Sequence, residues 1–177
     1  MDAREFYLCR VLLNGEARLV AWYTDDIDGF LRDSAGRLVI AESVATLGVP
    51  LGGPEPVDYD FDRIRSWCAS PDVATVDCSA FLDAWNFLDD LAGLHTEADS
   101  PYVRMSREAV TVYDKLFWSN NLPAVTPVGE QYTPAWSSEE LLTIRDVFEA
   151  GLYALEGELA GDVYGRSRDS DSASDQR

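Results

Sequence analysis

The chain has a single histidine, His95, and three cysteines, Cys9, Cys68 and Cys78. A histidine does general acid–base work only with a nucleophile or a partner base beside it. No nucleophile signature surrounds either Cys68 or Cys78. His95 falls at the predicted end of a helix, where a cationic imidazole is electrostatically favoured. It therefore reads as structural. One His and no Cys-x-x-Cys pair do not make a zinc site. The three thiols read as small buried hydrophobes, reduced and cytoplasmic.

Acids are far more abundant, with 32 Asp plus Glu against 14 Lys plus Arg. Asp58-Tyr59-Asp60-Phe61-Asp62 opens like a calcium loop, but Arg63 stands where such a loop turns on Gly. Ala69 stands where the loop needs a bidentate Glu. Helix capping on a solvated acidic loop explains these acids better. Asp25, Asp26 and Asp28 read as turn formers. Adjacent pairs such as Asp89-Asp90 and Glu139-Glu140 point apart on a helix and say little about catalysis. The chain contains no P-loop, G-x-G-x-x-G or G-x-S-x-G motif. The expected catalytic, cofactor and metal residues are therefore none, and the chain reads as more a binder than an enzyme.

The charge is unevenly distributed. From Asp77 to Asp99 there are six acids and no Lys or Arg. A helix over roughly 79–93 would present an acidic polar face. That face is either solvated or a docking surface for a basic protein. On the second reading the partner-binding residues are Asp83, Asp89, Asp90, Glu97 and Asp99, with Trp85, Trp118 and Trp136 as anchors. The net charge of −18 disfavours direct nucleic-acid binding and anionic membranes. No apolar run reaches the ~20 residues that span a bilayer, and the N-terminal residues do not read as a signal peptide.

The elements that must hold these residues are legible in outline. Residues 5–13 and 16–24 are β-rich runs joined by Asn14-Gly15, a strong hairpin signal because both turn residues tolerate positive φ. Residues 30–33 and 37–42 read as two more short strands, giving a four-stranded antiparallel meander. Residues 48–57 hold three Gly and three Pro and read as a loop. Asp60 or Asp62 can cap a helix carrying Ile64, Trp67 and Cys68. Phe81, Leu82, Trp85, Leu88 and Leu91 recur at helical spacing, with Asp77 or Ser79 as cap and Gly93 as stop. Ser106 precedes a helix over about 107–119. Ser137 with Glu140 makes a capping box for a last helix ending near Leu159.

The fold class is thus α+β: an N-terminal antiparallel β-meander packed against three to four C-terminal helices. A single domain spans residues 1–161, followed by a disordered polar tail at 162–177. The last twelve residues hold three Arg and three Asp, so the net charge lies in residues 1–165.

The stretch Tyr113-Asp114-Lys115-Leu116-Phe117-Trp118-Ser119-Asn120-Asn121-Leu122-Pro123, with Tyr132-Thr133-Pro134-Ala135-Trp136 and Trp85-Asn86-Phe87-Leu88-Asp89-Asp90, resembles small acidic proteins of actinobacteria. Some proteins of that kind are immunity proteins of toxin–immunity pairs. The resemblance implies an acidic protein-binding module that neutralises a basic toxin such as a nuclease, and carries over no catalytic residue. Two alternatives stand beside it. One is an enzyme or small-molecule binder with a pocket between sheet and helices, lined by Tyr7, Trp22, Tyr113 and Trp118. The other is a structural or assembly subunit.

Overall fold

The computed structural model describes residues 4–53, 55–93 and 100–160. Strands β1 (Glu5–Leu13) and β2 (Glu16–Thr24) form the expected hairpin. Asn14 and Gly15 take φ of 55° and 73° at its turn. The carboxylate of Asp62 accepts both turn amides, from Asn14 at 2.6 Å and Gly15 at 2.8 Å. A short β3 (Gly29–Phe30) pairs with β2.

The sheet is mixed, not an antiparallel meander. Residues 30–42 contribute β3 and two isolated bridges, Leu19 with Ala41 and Arg32 with Leu38. The fourth strand is β4 (Val57–Asp60), parallel to β1, in the order β3-β2-β1-β4. Four residues with two exposed acids carry almost no strand signal of their own. The pairing comes from the chain returning to the free edge of β1, where Arg10 grips Asp58 with two 2.7 Å bonds.

Both sheet faces are covered. Cys9, Val11, Leu13 and Val20 face the helices. Leu8 and Ala21 face the other way, under Val39, Ala41 and Leu47. Leu47 ends the one-turn helix α1 (Val44–Leu47), which Gly48 stops in the left-handed region at φ 67°.

The helices α2 (Phe61–Ala69), α3 (Cys78–Ala92) and α6 (Ser138–Leu159) lie where the periodicity places them. Asp60 caps α2, Asp77 caps α3, and the capping box of Ser137 and Glu140 is formed on α6. The third predicted helix is two. α4 (Pro101–Glu108) is capped by Ser100, and α5 (Val110–Ser119) follows at a bend on Ala109. Ser106 is therefore no cap but a buried residue of α4. Its neighbours at helical spacing, Tyr102, Val103 and Ala109, are buried with it, which is why the serine faces inward.

Trp67, Phe81, Phe148 and Trp85 form a chain of edge-on ring contacts at 4.8–5.8 Å that joins α2, α3 and α6. Gly151 lets α6 approach closely: a Cβ there would lie 2.5 Å from Leu88 Cδ1 and 3.0 Å from the Tyr102 ring.

Candidate functional site

A cavity of about 650 Å³ opens between β2 and the helices α3, α4 and α5. Trp22 of β2 forms one wall. Trp85 is its floor, and Val110 and Tyr113 of α5 form the far wall. Asp28, Asn86, Asp89, Asp90, Ser106 and Arg107 bring polar groups to it. The Trp85 and Tyr113 rings meet edge-on at 5.8 Å, and Tyr7 braces Trp22 from behind at 5.5 Å.

The polar groups are held in place by hydrogen bonds. Trp85 Nε1–H donates to Ser106 Oγ at 2.9 Å, and that hydroxyl donates to Asp89 Oδ1 at 2.9 Å. Tyr102 OH donates to the same oxygen at 2.6 Å. Across the cavity Trp22 Nε1–H donates to Asp90 Oδ2 at 2.9 Å. Tyr113 OH donates to Asn86 Oδ1 at 2.8 Å. Burial, reinforced by the Asp89 charge, pushes the Tyr102 phenol well above its ordinary value, so it remains a donor. Burial also raises Tyr113, with Asp89, Asp114 and Asp90 adding to it.

Among the described residues, the acids named from the sequence, Asp83, Asp89 and Asp90, have different surroundings. Asp89 turns toward the α4 hydroxyls and Asp90 toward the β2 indole. Asp83 is exposed two turns earlier, in a separate hollow of about 310 Å³ beside Asp77 and Arg63. Burial and then Asp77 raise its carboxyl above the ordinary aspartate value. Asp77 itself pairs with Arg63 at 2.9 Å. Glu97, Asp99 and His95 lie outside the described residues, as does the 162–177 tail.

Of the four aromatics proposed as a pocket lining, Trp22 and Tyr113 line the cavity together. Tyr7 supports it, and Trp118 lies elsewhere. Among the anchors, Trp85 is fully buried, while Trp136 lies under the Lys115 ammonium at 4.9 Å. Sequence reasoning missed Ser106 and Arg107. The signal that could have found Ser106 is its place on the apolar stripe of α4.

A second feature is the loop 120–136. It presents Leu122, Val125, Val128 and Tyr132 to solvent, beside the exposed Trp118 of α5. The loop is braced, not slack. Asn121, in the left-handed region at φ 48°, donates to the Tyr132 carbonyl at 2.9 Å and accepts its amide at 2.6 Å. Trp118, Pro127, Glu130 and Tyr132 enclose a small hollow of about 280 Å³.

The cysteines are free, with Cys9 and Cys68 buried. Burial pushes each of these thiols up to about 12, which makes them inert as nucleophiles. Asp58, Asp60 and Asp62 go respectively to Arg10, the α2 cap and the hairpin turn. Among the described residues no group of three His, Cys, Asp or Glu is arranged to hold a metal ion. Among them also, no helix is long and apolar enough to cross a membrane.

Fold and site define an α+β protein with an acidic, aromatic-walled pocket and a braced aromatic loop. The chain matches no family model, no curated protein and no solved structure.

Proposed function

We propose that the chain is an acidic protein-binding module of the immunity type, which neutralises a basic toxin such as a nuclease in the cytoplasm. The observation that carries this reading is the braced loop at 120–136, which holds large apolar groups outside an acidic body. Trp118, on α5 beside the loop, is 47% exposed and Tyr132 is 43% exposed, and both line one hollow. Tryptophan and tyrosine are the residues that most often dominate binding energy in an interface. A loop fixed in advance loses little conformational entropy when a partner seats on it. The net charge of −18 steers a cationic partner toward the surface and repels nucleic acid.

The test is inhibition. A basic toxin is sought among the proteins encoded by the flanking genes, and its activity is titrated with the full chain. Activity falls to completion at one-to-one stoichiometry, and Trp118→Ala shifts the inhibition curve to higher concentration. Activity unchanged at roughly tenfold molar excess overturns the reading.

A further inference from the structure

We propose that the cavity between β2 and α3–α5 is a binding site for a small organic cation, an amine or amidinium carried on a flat or branched apolar body. Its volume of about 650 Å³ lies in the range of small-molecule sites, roughly 300–1,000 Å³. Its walls are apolar, from Trp22, Val110 and Tyr113, and its polar groups are few and convergent. Aromatic faces attract a cation through their quadrupole, most strongly where water is excluded. Three carboxylates, Asp28, Asp89 and Asp90, meet one guanidinium, Arg107, so the lining carries a net negative charge.

Two of those carboxylates are oriented before any ligand arrives. Asp89 is held by Tyr102 and Ser106, and Asp90 by the Trp22 indole. These hydrogen bonds limit the freedom of both carboxylates to rotate. Each can therefore meet a cation at little ordering cost. The apolar body of the ligand would lie between Trp22 and Val110, and its charged end against the carboxylates. This site is distinct from the loop at 120–136, so either proposal can fail without the other.

The full chain is titrated with benzamidine and with phenethylamine, and tryptophan fluorescence is followed. Benzamide, the neutral isostere, and benzoate are the controls. At least one of the two cations binds saturably, and benzamide binds roughly tenfold more weakly or not at all. Val110 is 53% exposed at the mouth, so Val110→Trp fills the entrance without disturbing the core. That variant keeps its melting temperature and loses cation binding. Asp28→Asn weakens binding, whereas Trp118→Ala leaves it unchanged. The proposal is overturned if neither cation saturates, if benzamide matches benzamidine, or if Val110→Trp binds like the unaltered chain.

Discussion

The indole N–H of Trp85 donates to the hydroxyl of Ser106 at 2.9 Å, inside the core and across the α3–α4 contact. Ser106 passes its own proton toward Asp89, so one small side chain satisfies two partners. Ser106→Ala leaves the indole without an acceptor in a buried site, which costs about 1–3 kcal/mol. Tyr102→Phe removes a second donor to Asp89. Because both feed one carboxylate, the double variant departs from the sum of the two single effects. Urea unfolding of the three variants checks this.

Two glycines of α6 give opposite outcomes from the same substitution. Gly151→Ala drives a methyl to 2.5 Å from Leu88 Cδ1 and against a Tyr102 ring fixed by its hydroxyl. Overpacking costs about 1–3 kcal/mol, more than the gain of up to ~1 kcal/mol in helix propensity. At Gly157 a Cβ meets nothing within 4 Å, and the residue is exposed. Gly157→Ala stabilises by some tenths to ~1 kcal/mol. Thermal melts of both variants show shifts of opposite sign.

Glu140 gives a pH dependence with a defined sign. Burial raises its carboxyl, but hydrogen bonds from Lys115 and from the Ser137 amide and hydroxyl outweigh this, and the net shift is downward from 4.5. The Lys115 ammonium lies 2.7 Å from one carboxylate oxygen and 2.8 Å from the other. A group depressed in the folded state binds its proton first in the unfolded state. Its stabilisation is therefore complete above the ordinary value and is lost as pH falls through the lowered one. The melting temperature of the unaltered chain exceeds that of Glu140→Gln near about pH 6, and the gap closes toward about pH 3.

Elements with strong local signals were legible in the sequence. Asn14-Gly15 specifies its hairpin through positive φ, Ser137 and Glu140 specify the start of α6, and the apolar stripe of α3 specifies its span. What escaped depends on distant partners. Val57–Asp60 becomes a strand because β1 offers a free edge. Asp89 falls on the polar side of α3 by periodicity, yet α4 brings two hydroxyls to it from 13 and 17 residues away. The pocket itself is a product of packing between β2 and three helices, which no single segment encodes.

The loop brace separates preorganisation from contact. Asn121→Ala removes both bonds to Tyr132 and places a methyl-bearing residue at φ 48°. It loosens the loop and weakens partner binding by raising the dissociation rate. Asn121→Gly keeps the backbone conformation accessible but loses the brace, so it falls in the same direction. Surface plasmon resonance on both variants reads the dissociation rates.

The most direct measurement is the rate of association of the chain with a basic toxin sought among the proteins encoded by the flanking genes, taken by stopped flow across salt. The account predicts that the association rate falls by roughly tenfold or more between about 50 mM and about 500 mM salt. It also predicts that Trp118→Ala raises the dissociation rate and leaves association unchanged. No complex formed, or an association rate indifferent to salt together with an unaltered dissociation rate for Trp118→Ala, would contradict it.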